Sequence, residues 1–533
     1  MQEYEADVIV VGLGAAGGCA AIEAHDQGAQ VIVLEKQPED RHYSNTRMSG
    51  GGFHSPEPGG DFEALKAYAK AMFSGDDLPQ KLEGEQPEFA DELADLWARL
   101  SPENESFMRG LDPMYRTVKV ANAAFEHFPG AARSGYAVVK STYTGAEDEA
   151  TQFAVTKGAD KSQKESGEAF HACLMNGVQS RRITVFYDTP AASLITEGDK
   201  VIGVRSMRRG EPVTYYARRA VVLTCGGYEY NRNMRKAFLD GPGGEGWAFY
   251  GSPENTGDGI RMAMKVGAGL SHIGSVAGRV ICAVPVRRHG LKIGLNTSSV
   301  GKPNEIVVDS RGERYASERR ITKDPSRYIF YREALHFDTV SMSYPRIPSW
   351  MIFDETLRTA GPLVRLGAAS YNDIDWGADN LNALKNGWIL RADTLEELAE
   401  LIRQHPDDHG RMEAQTLRRS VDRWNESCAA RRDPDFDRDP QTMGPVQKPP
   451  FYAMPLYPGG PNTKGGLRAN PQRQVLDWED APISRLYTAG EISSVFQFAY
   501  QGGGNLAEGI AFGRLAGRNA AAEIPCTRRS AAA

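Results

Sequence analysis

The chain is 533 residues long, enough for a large core and two domains, and its 41% hydrophobic and 25% charged residues are the balance of a globular enzyme. A net charge of −7 argues against nucleic acid or an anionic membrane surface as a partner, and no apolar run reaches the length of a membrane span. The cysteines, Cys19, Cys173, Cys225, Cys282, Cys428 and Cys526, show no C-x-x-C spacing; this excludes a zinc ribbon, a thioredoxin-type couple and an attached c-type haem, and it suits a reducing cytoplasm.

Val8–Val11 is an unbroken β-branched run and reads as a strand buried on both faces. The strand is expected from about Ala6, which leaves no room for a signal peptide. Gly12, Gly14 and Gly17 follow in G-x-G-x-x-G spacing, small residues continue as a helix, and Val31–Leu34 is a second buried strand ending at Glu35. An acid about 20 residues past the glycines completes a dinucleotide-binding βαβ unit. In it Gly12 makes the tight turn, Gly14 lets the backbone approach a pyrophosphate, Gly17 allows helix and strand to pack, and Glu35 accepts from ribose hydroxyls. The loop RHYSNTRMSGGGF then carries Asn45, Thr46, Ser49 and the glycines 50 to 52, small groups that can close over a flat cofactor ring.

Residues 60 to 110 have helical spacing interrupted by a polar loop at Asp76–Gln86, and Phe125–Gly130 is an aromatic loop in which His127 reads as a packed residue. From Arg182 strands return, and Val221–Thr224 ends on Cys225-Gly226-Gly227, where a doubly wound sheet faces its ligand crevice. Gly241, Gly243 and Gly246 also match G-x-G-x-x-G, but Pro242 sits inside the match and no helix follows, so it is rejected. Asn255–Gly259 leads into a helix with Ile260, Met264 and Val266 on its apolar side. From about 270 to 450 the composition turns to Arg, Tyr and Pro, with one clear helix at Asp393–His405; Asp393 and Glu396 pair like a capping box, and Leu395, Leu398, Leu401 and Ile402 form the buried stripe. Ile483–Ala489 is a short strand ending at Gly490-Glu491, and Gly502-Gly503-Gly504-Asn505 precede a helix from Leu506, a second helix N-terminus suited to an electron-rich carbonyl. The return of the C-terminus to the first domain, with no second nicotinamide site, favours a flavin.

These elements resemble, in order and over nearly the whole length, the fumarate reductase/succinate dehydrogenase flavoprotein superfamily: GLGAAG with Glu35, TRMSGGG, TCGG, NTGDG, RGERYASE at 311 to 318, PPFYA, LYTAGE and GGGNLAEGIAFGRLAGRNAA. The resemblance implies an α/β fold, a Rossmann-like FAD-binding domain made from residues 1–270 and 450–533, with an inserted α+β capping domain at 271–449 and substrate between cap and isoalloxazine ring. It implies a cofactor site of Gly12, Gly14, Ala15, Ala16, Gly17, Glu35, Lys36, Asn45, Thr46, Ser49, Gly50, Gly51, Ala191, Thr224, Gly226, Asp258, Gly490, Glu491, Asn505 and Leu506.

The departures bear on chemistry. Succinate dehydrogenases attach FAD through a histidine in Ser-His-Thr; Ser44-Asn45-Thr46 offers no such ligand, so non-covalent FAD is expected. The arginine that delivers a proton in fumarate reductases corresponds to Lys323, their carboxylate-binding histidine to Asn462, and their carboxylate-binding arginine to Gln501. A site lacking those contacts should hold a C4-dicarboxylate poorly. Tyr500-Gln501-Gly502-Gly503-Gly504 is instead similar to the Tyr-x-Gly-x-Gly element of 3-ketosteroid Δ1-dehydrogenases and related cyclic-ketone dehydrogenases, in which the tyrosine hydroxyl and the last glycine N–H grip a ketone oxygen. Tyr500 and Gly504 match those positions. The family's base tyrosine falls near Thr322 and is absent, leaving Lys323 or His127 as the base. In an extended segment Phe496, Phe498 and Tyr500 would share one face and line an apolar pocket, with Phe498 and Asn462 touching substrate. The expected reaction is FAD-dependent α,β-dehydrogenation of a cyclic ketone, a small-molecule substrate, with an electron acceptor left open. The alternative is reduction of a carboxylic alkene, with Lys323 as proton donor and Arg279, Arg327 or Arg346 holding the carboxylate.

Overall fold

The β-branched run near the start of the chain becomes an inner strand of the larger sheet. Gln2–Val11 lies between Val31–Leu34 and Glu211–Leu223 and is parallel to both; Thr184–Phe186 and Pro482–Thr488 extend the parallel order on either side. Val8, Ile9 and Val10 are buried on both faces of that sheet, which is why the run alternates nothing polar. In this computed structural model, residues 2–75, 89–143, 166–319, 330–365 and 374–526 are described. The expected loop Asp76–Gln86, Lys323 and Arg327 lie outside them.

The helix Ala15–Asp26 covers one face of the sheet and packs on the last helix, Gly504–Ala522. Three glycines one turn apart make the approach possible. A Cβ on Gly509 would stand 2.8 Å from Ala15 Cβ, one on Gly513 2.6 Å from Ala16 O, and one on Gly517 2.2 Å from Ala20 O. The two ends of the chain therefore share one layer over the sheet.

A seven-stranded sheet forms the second body, with Phe451–Gly460 buried along its whole length and paired to Arg279–Arg288, Ser349–Asp354 and Leu390–Ala392. The short strand Ala248–Phe249 joins the same sheet. This sheet therefore reaches beyond 271–449 at both ends. The helix expected at Asp393–His405 is Leu395–Gln404, and its capping box is Thr394 with Glu397 rather than Asp393 with Glu396, because the Thr394 side chain is the one that reaches the Glu397 N–H. Leu401 is 38% exposed and Ala399 takes its place in the stripe; Met264, likewise, lies 44% exposed. The rejected glycine match is a 3₁₀ turn, Gly243–Gly246, followed by a strand. Gly52–His54, Val138–Tyr143 and Tyr115–Ala121 make a small antiparallel sheet. Among the described residues no helix is long and apolar enough to cross a membrane, and no group of His, Cys, Asp and Glu is placed to hold a metal ion.

Candidate active site

A cavity of about 730 Å³ runs from the βαβ unit to the glycine turn before the last helix. Its first wall is the fingerprint loop. Gly12 has φ +99°, and a Cβ there would lie 2.6 Å from Thr224 O, so only glycine makes this turn under the neighbouring strand end. Thr224 Oγ1 donates to Val11 O (2.8 Å), and Ala15 N–H donates to Thr46 Oγ1 (2.8 Å), which ties three separate loops round the helix start. Gly17 is off the lining; its Cβ would meet Gly12 O at 1.9 Å, so it serves packing. Glu35 is buried and accepts from Leu13 N–H (2.9 Å) and Gln37 N–H (2.8 Å). Burial opposes its charge, but His42 and those two amides hold its carboxyl below the ordinary range. Lys36 donates to Asp258 (2.9 Å) and lies 4.0 Å from Glu254, fastening the far end of the cavity.

Asn45 occupies the middle. Its amide nitrogen donates to Glu229 Oε1 (3.1 Å) and Glu491 Oε2 (2.9 Å), and its oxygen accepts from Ser252 N–H (2.6 Å). Burial, and then the charge of the neighbouring Glu229, push the Glu491 carboxyl well above its ordinary range. Ser49 Oγ donates to Thr46 O (2.8 Å) and accepts from Gly51 N–H (3.0 Å).

Two helices present their N-termini to this cavity, with Gly14 and Gly503 as N-caps, no capping side chain and no acid in either first turn. Such ends attract the pyrophosphate and the carbonyl oxygens of a flavin ring. With the glycine cradle at Gly12, the residues present fit FAD.

Tyr500 lines the opposite end with Asn462, Gly502 and Gly503. Its ring stands edge-on to Phe496 (centroids 6.3 Å) and under the ammonium of Lys464 (4.4 Å). Lys464 is fully enclosed: its Nζ also covers Phe496 (4.6 Å) and lies 3.3 Å from Ser494 Oγ, whose hydroxyl donates to Glu508 (2.8 Å). Burial pulls its pKa down to about 7 against the attraction of Glu508 and Glu491. His54 donates from Nε2 to Gly502 O (3.3 Å) while Tyr136 hydroxyl bonds its Nδ1; burial holds the ring neutral, with a pKa lowered to about 3. Asn462 accepts from Asn505 (2.6 Å) and donates to Thr463 O (2.6 Å).

Most of the expected cofactor positions line this cavity: Gly12, Gly14, Ala15, Ala16, Glu35, Lys36, Asn45, Thr46, Ser49, Gly50, Ala191, Thr224, Gly226, Asp258, Gly490, Glu491, Asn505 and Leu506, as does Asn462. Five further expected positions lie elsewhere. Phe498 is 42% exposed and packs over Gly75, because its N–H and that of Ala499 donate to Phe73 O and Met72 O, which turns the segment out of the extended form. Phe496 is core, edge-on to Phe73 and Trp97. His127 is exposed and off the cavity, since the stacked Phe125 and Phe128 take the inward positions. Gly504 is off the lining and its N–H donates to Gln501 O (3.0 Å), closing the first turn of the helix. Gly51 is also off it, with φ +65° against Ser166.

The missing charged forks are not a missing charge. Gln501 brackets the loop before it, accepting from Tyr68 hydroxyl (2.8 Å) and donating to Asn122 O (2.9 Å). Cations arrive from elsewhere: Arg279, named above, lines the cavity, and so do Lys140, Arg319 and Arg365, which no motif flagged. Arg346 instead donates to Glu333 O and covers Tyr315, outside the cavity. Tyr250 is a second tyrosine on the lining.

A family model described as FAD binding domain matches residues 7–506. The chain is 28% identical to the 3-oxosteroid 1-dehydrogenase of Mycolicibacterium smegmatis, over 99% of both chains. It is 27% identical to the NADH:acrylate oxidoreductase of Vibrio harveyi over 97% of this chain and 50% of that protein. The 3-ketosteroid delta1-dehydrogenase of Sterolibacterium denitrificans, solved in complex with 1,4-androstadiene-3,17-dione, superposes with a TM-score of 0.78 at 27% identity, covering 97% of this chain and 99% of that one.

Proposed function

The chain belongs to the FAD binding domain family, so it is an FAD-dependent oxidoreductase acting on CH–CH groups, and we propose that it desaturates a cyclic ketone between the α and β carbons. The observation that carries this reading is Tyr500, a phenol at the cavity wall, beside the glycine turn and held between Phe496 and Lys464. Its hydroxyl donates to the ketone oxygen and gains strength as that oxygen becomes an enolate. The Gly504 N–H is engaged with Gln501, so stabilisation of the oxyanion rests on Tyr500. We assign α-proton removal to Tyr250, which lines the same cavity; Lys323 keeps its place only as a proposal from resemblance. FAD, when bound, supplies the acceptor for the β-hydride, and Asn45, having no nucleophile, leaves it non-covalently held. The two-ended FAD domain and its cap enclose the substrate, and the unpaired thiols suit a reducing cytoplasm.

Arg279 on the cavity wall favours a second reading, reduction of a carboxylic alkene, in line with the acrylate oxidoreductase among the relatives. Anaerobic mixing separates the two. Bleaching of the oxidised flavin by a saturated cyclic ketone supports the first; reoxidation of the reduced enzyme by acrylate, with no response to ketones, replaces it by the second. Tyr250→Phe should lower ketone turnover by about 10²–10⁴ and abolish α-deuterium wash-in, and unchanged wash-in removes Tyr250 from the assignment.

A further inference from the structure

Behind the cavity wall lies a charge that the chemistry above does not use. Lys464 is 1% exposed and off the cavity lining. Its backbone N–H donates to Ser275 O (2.7 Å), which fixes the loop from which the side chain enters. The Nζ stands over two ring faces, 4.4 Å from the centre of Tyr500 and 4.6 Å from that of Phe496. Titratable and charged groups face it from three elements: Glu508 of the last helix, reached through Ser494 Oγ (3.3 Å from Nζ), Glu491 of the turn Glu491–Ser493, and His54 of the small sheet, which burial keeps neutral. Arg473 shares Glu508 with it and draws on the same carboxyl.

Packing alone does not call for a lysine here. Enclosing an ammonium is costly, and a methionine would fill the same space between the two rings without that cost. The cation does something that a thioether cannot. Over a neutral phenol it is held by the negative face of the ring. As the phenol shares its proton with a developing enolate, charge spreads from the oxygen into the ring carbons, and the attraction to the ammonium grows. That gain is made in the transition state and not in the ground state, which is the kind of interaction that raises a rate. Enclosure keeps water and salt from screening it. Phe496 has no hydroxyl and cannot respond in this way.

We propose that Lys464, as an ammonium behind the phenol ring, strengthens Tyr500 as a hydrogen-bond donor to the ketone oxygen. It is a positioning residue, acting through Tyr500 and touching neither substrate nor flavin. This rests on the ketone reading above and deepens it. Lys464 gives up its proton near pH 7, so the assistance is present in mild acid and is lost as the pH rises past that value.

The test reads the strength of that hydrogen bond directly, as the carbonyl stretch of a bound ketone in isotope-edited difference infrared spectra of the FAD-loaded enzyme. The probes are 1,4-androstadiene-3,17-dione and 4,4-dimethylcyclohexadienone, whose ketones are already desaturated on both sides and so are not consumed by oxidised flavin. In the wild type the stretch should lie lower at about pH 6 than at about pH 9. Lys464→Met should raise it at pH 6 and remove the pH dependence; Lys464→Arg, charged at both values, should keep it low throughout. The ratio of wild-type to Lys464→Met turnover should be about 10-fold at pH 6 and approach one at pH 9. If Tyr500→Phe raises the stretch and Lys464→Met leaves it alone, the proposal is overturned while the ketone reading stands, and a Lys464→Met variant that changes only melting temperature or flavin content overturns it likewise. If Tyr500→Phe does not move the stretch, or neither ketone binds, the reading of Tyr500 fails and the proposal falls with it. Should Lys464→Met lose its flavin, Lys464→Arg decides alone: a stretch that still rises with pH as in the wild type overturns the assignment to Lys464.

Discussion

A lysine closed in by two aromatic rings and a serine is the least expected group in the site. Lys464 has a pKa near 7 in the fold against 10.5 for a free lysine, so the folded chain releases its proton first. Below about pH 7 both states are charged and the full cost of burying the ammonium is present; between about 7 and 10.5 only the unfolded chain holds the proton, and stability from this group rises with pH. Lys464→Met should therefore stabilise the protein most under acid conditions, with an advantage that shrinks by ~2–3 kcal/mol between about pH 6 and pH 9. Urea unfolding of both proteins at the two pH values checks this, and a pH-independent difference would contradict it. Tyr500, on whose ring that lysine rests, tests the chemistry. Tyr500→Phe keeps the packing with Phe496 and should lower turnover by about 10²–10³ with little change in KM, flavin content or melting temperature. A variant with wild-type turnover would return Tyr500 to the status of a core aromatic.

At the scale of elements, the reading from sequence succeeded where one short stretch carries the whole instruction. The G-x-G-x-x-G run, its flanking strands and the C-terminal glycine turn each announce a local geometry. It failed where tertiary hydrogen bonds decide. Nothing in the alternation Phe496, Phe498, Tyr500 reveals that the amides at 498 and 499 are claimed by the end of the helix Phe62–Ser74. Three of the cavity-wall cations were as hidden, since Lys140, Arg319 and Arg365 lie far apart in sequence and carry no motif, and only the fold brings them to the wall that Arg279 also lines. The glycines Gly509, Gly513 and Gly517 were visible as residues but not as a contact, because their use depends on what lies opposite. Gly517→Ala forces a methyl to 2.2 Å from Ala20 O and should cost about 1–3 kcal/mol, overpacking outweighing the helix propensity it gains. Gly110→Ala, in a helix with nothing within 4 Å, should instead gain up to about 1 kcal/mol. The temperature at which flavin is released should fall for the first and not for the second.

For the whole molecule, cofactor retention depends on the closed fold rather than on a bond. Acid or heat should liberate all the FAD and leave a colourless polypeptide, because Asn45 engages Glu229, Glu491 and the Ser252 amide and offers no ring nitrogen. Flavin fluorescence on the denatured chain after gel filtration would contradict it. The contact between Ala15–Asp26 and Gly504–Ala522 also sets a schedule. The first helix leaves the ribosome long before its partner; at about 5–20 residues per second the interval is roughly half a minute to a minute and a half. Throughout it, the alanine face at Ala15, Ala16 and Ala20 has no glycine ridge to cover it, and the second helix N-terminus of the cavity does not yet exist. Flavin capture is thus an event of the finished chain. Ribosome-stalled products ending before Gly504 belong to chaperones, not to the cofactor pool.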